Sequence, residues 1–129
     1  MTGGTAAGRH DGLVEEGAFD RALERLRPMV RAYGFRLVGV QRPQRLRHGF
    51  AEYHRNDRRL CLVWESRAQA LWVETARASG FQIVSRWQDV EWSVAGKRLP
   101  LDCDTSDERI DRLLAAVLIW LDAARPMSS

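Results

Sequence analysis

Apolar residues recur at helical spacing near both ends of the chain and at strand spacing in between. Phe19, Ala22, Leu23, Leu26, Met29, Val30 and Tyr33 share one helical face, which predicts a helix over Ala18–Tyr33 with Arg21, Glu24, Arg25 and Arg31 outside. Gly34 tolerates the left-handed backbone of a helix stop. Pro28 removes one N–H inside the pattern, so a kink is expected there rather than a break. Strand-like runs follow at Phe35–Gln41, His48–Arg55, Leu60–Glu65, Ala70–Arg77 and Phe81–Trp87, with Val90, Trp92 and Val94 alternating once more. Turns at Asn56-Asp57, Ser66–Gln69, Ser79-Gly80 and Gly96-Lys97 separate them, along with an Arg42–Arg47 loop that holds Pro43. Such connections are too short for parallel crossovers, so the strands form an antiparallel meander. Near the C-terminus, Thr105 and Glu108 have capping-box spacing, and Ile110, Leu113, Leu114, Val117, Leu121 and Ala124 make a helical stripe before Pro126. Leu118, Ile119 and Trp120 widen that stripe, which suits a core helix and would also suit a dimer seam.

The expected fold is α+β: an antiparallel meander of five to six strands, flanked by an N-terminal and a C-terminal helix packed on one sheet face. A chain of 129 residues fits one domain. It is placed at Glu15–Arg125, with Met1–Val14 and Pro126–Ser129 read as disordered tails.

Alternate residues of a strand point to opposite faces, and the turn lengths set the register between strands. A two-residue turn at Asn56-Asp57 pairs Tyr53 with Leu60, and a four-residue turn at Ser66–Gln69 pairs Trp64 with Leu71 and Leu62 with Val73. One face then carries Tyr53, Leu60, Leu62, Trp64, Leu71, Val73 and Thr75, nearly all apolar, and is assigned to the core. The other carries His48, Phe50, Glu52, His54, Arg59, Cys61, Val63, Glu65, Trp72 and Glu74. Burying so many ionisable groups is too costly for a core face. A purely solvated face would not set a Trp beside a Phe. It is either a solvent face with apolar spacers, half covered by the Trp87–Val94 segment, or a partner-binding surface built on Phe50, Glu52, His54, Arg59, Val63, Trp72 and Glu74.

Cys61 and Cys103 are far apart, which gives neither a disulfide framework nor a zinc signature and suits a reducing compartment. The N-terminus has no apolar run of signal-peptide kind, and Leu113–Leu121 is too short to span a bilayer. A cytoplasmic location without membrane attachment is therefore expected.

The net charge of +3 is unevenly spread, since residues 21–60 hold eleven arginines against Glu24, Glu52 and Asp57, a local excess of +8. Arg42, Arg45 and Arg47 cluster in the first loop and Arg55, Arg58 and Arg59 at the next turn, at opposite ends of one strand. An acidic protein or a nucleic acid would answer such charge. A base-stacking sheet needs several aromatics on one face, whereas Phe50 and Tyr53 lie on opposite faces. His48, Glu52 and His54 beside Cys61 offer material for a metal site or a general base, but in-strand neighbours project about 6–7 Å apart, too far to chelate unaided. Asp102, Asp104, Asp107, Glu108 and Asp111 depart from a calcium loop, with Asp107 and Leu113 where Gly and Glu belong, and are read as helix-dipole partners. No nucleophile motif or phosphate-binding loop is present. No catalytic, cofactor-binding or metal residue is assigned, and an enzyme or metal protein ranks last.

The stretches RAYGFRLVGV, AEYHRNDRRLCLVWESRAQALWVET and RWQDVEW together resemble small bacterial α+β proteins in which a helix ends at a Tyr-Gly-Phe strand start. Their architecture is similar to that of the immunity proteins that neutralise bacterial toxins. The likeness covers residues 18–122 and implies a protein-interaction module, without a functional motif that carries over residue by residue. The alternative is a nucleic-acid-associated protein using the arginine-rich segment 21–59. These two readings separate by salt. Phosphate contacts would make the logarithm of nucleic-acid affinity fall linearly with the logarithm of salt concentration, and changing Arg42, Arg45 and Arg47 to Ala would flatten that slope.

Overall fold

The computed structural model describes residues 17–44, 47–79, 82–95 and 106–123. Arg45, Phe81, Cys103, the Gly96-Lys97 turn, Thr105 of the capping box and both terminal tails lie outside them. Helix α1 (Gly17–Ala32) leads into strands β1 (Arg36–Gln41), β2 (Gly49–Arg55), β3 (Arg58–Glu65), β4 (Ala70–Ser79), β5 (Gln82–Ile83) and β6 (Gln88–Asp89). Helices α2 (Val90–Ala95) and α3 (Ser106–Ala123) follow. The fold is α+β, with an antiparallel sheet in the order β1-β2-β3-β4-β5 and β6 pairing with β4.

Helix α1 buries Phe19, Ala22, Leu23, Leu26 and Val30 and runs through Pro28. The lost N–H leaves the Glu24 carbonyl without its helical donor on a side exposed to water. Gly34, at φ +87°, closes the helix. Its N–H donates to the Arg31 carbonyl at 3.0 Å and the Phe35 N–H to the Val30 carbonyl at 3.0 Å, the paired bonds of a Schellman motif. Phe35 then turns inward and is buried against Trp120 of α3, ring centroids 6.0 Å apart.

The central hairpins have the register that their turn lengths dictate. Tyr53 pairs with Leu60 and Glu52 with Cys61, then Leu62 with Val73 and Trp64 with Leu71. Asn56 and Gln69 take the positive φ these turns require. Asn accepts that conformation readily, whereas Gln69 adopts it at some cost. At the other end of β2, a Cβ on Gly49 would lie 2.5 Å from Pro43 Cγ, so glycine lets the Pro43 loop fold back against the strand.

Tyr53, Leu60, Leu62, Trp64, Leu71 and Val73 form one buried cluster with Phe19, Leu26 and Val30 of α1 and Ile110, Leu113, Leu114, Val117 and Leu121 of α3. The Trp64 face of the sheet is therefore the core face. Among the described residues, no helix is long and apolar enough to cross a membrane.

The chain after β4 departs from the expected strands. Among the described residues of the Phe81–Trp87 run, Gln82–Ile83 alone form a strand, with Gln88–Asp89 pairing separately with β4. Between these short strands the chain is tied to Arg77, whose carbonyl accepts from the Val84 N–H and whose N–H donates to Ser85 Oγ. The expected alternation at Val90, Trp92 and Val94 is instead the helix α2. Asp89 starts it, its Oδ1 accepting the Glu91 N–H at 2.8 Å as an N-cap does. Because α2 puts Val90 into the core cluster, this segment belongs to the helical layer and does not cover the opposite sheet face.

A helical turn also carries the Glu91 carboxylate to Arg109 of α3. Arg109 donates to both carboxylate oxygens, at 2.9 and 2.5 Å, and its Nη2 also reaches the Leu71 carbonyl at 2.9 Å. Both side chains are 3% exposed, so this fork clamps α2, α3 and β4 inside the core. Removing one member strands the other charge out of water. Glu91→Ala or Arg109→Ala alone should cost about 3–5 kcal/mol in urea unfolding, while a well-packed apolar replacement of both should cost far less.

Candidate functional site

Strand pairing lays the helix-free face of the sheet out in rows. Phe50, Val63 and Trp72 stand in one line across β2, β3 and β4; Glu52, Cys61 and Glu74 form the next, and His54, Arg59 and Ala76 the third. Phe50, Val63 and Trp72 are each half-buried, so their side chains crowd one another while their outer surfaces meet solvent. The indole Nε1 of Trp72 donates to Glu74 Oε1 at 3.0 Å, which satisfies its polar end and holds the ring on the row.

The polar rows are cross-linked within the face. His54 Nε2 sits 2.6 Å from Glu52 Oε2, both side chains half-buried. Arg59 is 7% exposed, with its Nη1 donating to the carbonyls of Asn56 at 2.7 Å and Arg58 at 3.0 Å. It is thus an anchored cation at the foot of the turn, not a free arm on a rim. Cys61 lies buried between Glu52 and Glu74, and burial first, then those two carboxylates, push its thiol up to about 12 against a slight lowering by a backbone contact to Ala51. A thiol held so far above neutral pH is a poor nucleophile and a poor metal ligand.

The candidate metal ligands do not converge. His48, just before β2, is six residues from His54, about 20 Å at strand rise. Its Nδ1 accepts the Ser66 N–H at 3.0 Å, and its Nε2 lies 3.5 Å from Glu65 Oε2. Among the described residues no group of three or more His, Cys, Asp or Glu is placed to hold a metal ion. At the start of α3, Asp107 and Asp111 meet Arg21 at 3.3 Å and Arg25 at 2.6 Å from α1.

Arg42 pairs with Asp20 of α1, and Arg47 is exposed, its backbone bridged to Gln44. Arg55 donates to the Tyr33 carbonyl at 2.8 Å with its guanidinium 4.8 Å above the Phe35 ring. Asp57 draws Arg58 to 3.9 Å and Arg77 to 3.7 Å.

Beyond the residues singled out by strand parity, the structure adds Arg36, Val38 and Arg55. With His54 and Arg59 they line an open cleft of about 590 Å³ at one corner of the same face. Parity does not find the β1 members because the strand slips register between Leu37 and Gly39. Arg36 aligns with His54, but after the bulge Gly39, not Val38, aligns with Glu52, so the alternation reverses inside one strand. The only sequence signal of this is the glycine in an otherwise apolar run.

Comparison of the chain with protein-family models, curated proteins and solved structures finds no match.

The raised Cys61 pKa gives a direct chemical check. In the folded chain carrying Cys103→Ser, alkylation by iodoacetamide at pH 8 should run at least about a hundredfold slower than in the same chain in denaturant, because the thiolate is scarce and shielded. The thiol's folded value lies above its ordinary 9.0, so the unfolded chain loses that proton first. Stability should therefore hold below about pH 9 and fall as pH rises toward about 12, a limb that Tyr53, raised by burial, shares. Cys61→Ala should shorten the fall.

Proposed function

We propose that this domain is a protein-binding module whose docking surface is the helix-free face of its sheet. The observation that carries this reading is the Phe50–Val63–Trp72 row, half-exposed in the middle of a face that no described helix covers. Aromatic and aliphatic anchors beside charged neighbours are the usual anatomy of an interface centre with its polar rim. Glu52, His54 and Glu74 supply that rim, and Arg59 underlies it. Because Trp72 and His54 already have polar partners within the face, docking would desolvate a surface whose hydrogen bonds are largely made.

Recognition would then work by surface complementarity, as it does for the toxin-immunity proteins that the sequence pattern resembles. Such a protein acts by covering its partner or by regulating it and needs no catalytic group of its own. Nucleic-acid binding through segment 21–59 has less support, since Arg21, Arg25, Arg42 and Arg58 each face a carboxylate and the basic groups are spread over several surfaces.

The partner would be captured with the wild-type domain from an extract of the native host, purified, and titrated against wild type and Trp72→Ala. The substitution should weaken binding by about 2 kcal/mol or more, roughly thirtyfold, while thermal unfolding stays close to wild type. Unfolding of the variant would make Trp72 a stability residue and remove the sheet-face site. Unchanged affinity in a folded variant would place the docking surface elsewhere.

A further inference from the structure

The edge of the sheet at β1 is a surface distinct from the Trp72 row. Its outward side has no strand partner among the described residues. Its sequence, RLVGVQ, includes Leu37, Val38 and Val40, which are 43%, 46% and 46% exposed. Register puts Leu37 and Val40 on the core side of the sheet, opposite Tyr53 and Ala51. They remain in solvent because α1 and α3 sit over β2, β3 and β4, short of the edge. A long apolar edge strand with free backbone donors and acceptors is a template for another strand, and proteins commonly blunt such edges with proline or inward charge. Here the bulge at Val38 is the only such device within the strand.

The charge beside this edge selects its occupant. On the helix-free side, Arg36, Arg55, Arg59 and His54 surround Val38 in the corner cleft. On the helix side, Arg27, Arg31 and Arg36 line a cleft of about 330 Å³ with Phe35, Leu37 and Tyr53. No described carboxylate lines either cleft. A strand added to β1 sends successive side chains to alternate faces, so residues near its Arg36 end would enter one arginine-lined cleft or the other.

We propose that β1 binds an extended acidic peptide segment by strand addition: its backbone pairs with the outward edge of β1, its small apolar residues cover Leu37, Val38 and Val40, and its carboxylates meet Arg27, Arg31 and Arg36. A second copy of this chain fits poorly, because β1 brings no carboxylate to meet Arg27, Arg31 and Arg36. Nucleic acid fits poorly as well. Its phosphates would accept from the arginines but would leave both the apolar side chains and the edge carbonyls without complement.

The probe is a synthetic peptide of roughly eight residues, a Val-Thr repeat with a glutamate pair at each end, beside a control in which lysine replaces every glutamate. We expect saturable binding of the acidic peptide that weakens with salt, no measurable binding of the lysine peptide, and amide exchange across Leu37–Gln41 slowed by about tenfold or more. Arg36→Glu should weaken binding at least about tenfold, while Arg86→Glu, an equal charge change on a distant exposed residue, should not. Four results would overturn the proposal: equal binding of both peptides; binding of the acidic peptide that leaves the β1 amides unprotected; concentration-dependent self-association that protects β1 without peptide; or protection of β1 by a single-stranded oligonucleotide where the peptide gives none. The β1 edge and the Trp72 row are tested by different ligands and variants, so failure of either reading leaves the other to stand on its own result.

Discussion

Register across β2, β3 and β4 is the constraint on which both halves of this molecule depend. The Asn56-Asp57 turn and the Ser66–Gln69 turn join the strands so that Leu62 faces Val73, and Val63 faces Trp72. A slip of one residue in β3 would turn Leu60, Leu62 and Trp64 outward and bring Arg59, Cys61 and Val63 under the helices. The apolar set is thus held to the core and the mixed set to the open face by the same backbone pairing. Neither face can be altered in register without destroying the other.

The described helices close only one side of that sheet. Helix α1 lies over β2 and β3, and α3 lies over β4 with α2 beside it. The buried Glu91–Arg109 fork fixes how α2 and α3 meet β4, because the Arg109 guanidinium must reach both the carboxylate and the Leu71 carbonyl. A buried ion pair is a poor source of net stability compared with apolar packing, but it penalises any arrangement that separates its members. The consequence for function is one of coverage. With the three described helices on the Trp64 side, no described helix covers the Trp72 row, and the β1 edge extends past their reach.

The open face and the edge differ in chemistry. On the face, Glu52 with His54, Glu74 with Trp72, and Arg59 with the turn carbonyls already bind one another. Little polar reorganisation is left for a partner to impose, and the apolar row would supply the binding energy. At the edge, β1 has no strand partner among the described residues and Arg27, Arg31 and Arg36 lie beside it, so hydrogen bonding and charge would supply it. Two surfaces of such different character would suit the two contacts proposed, broad docking on the face and capture of an extended segment at the edge.

Much of this was legible in the sequence, for a local reason. Helical spacing and strand alternation are properties of each segment by itself, so α1, α3, the β2–β4 meander and the sorting of Trp64 from Trp72 could be read from residue order and turn length. Where parity was interrupted, the reading stopped. The bulge at Val38 reverses the alternation in β1, and the helix α2 replaces what alternates as Val90, Trp92 and Val94. Only the tertiary structure decided the long-range partners: Glu91 with Arg109, eighteen residues apart, and Arg109 with Leu71, thirty-eight apart. It also decided that Arg42 would meet Asp20 while Arg36 sits between two clefts that no described carboxylate lines. Residue types specify what each group can bind, but which groups meet is set by how helices and sheet pack, and no local pattern carries that information.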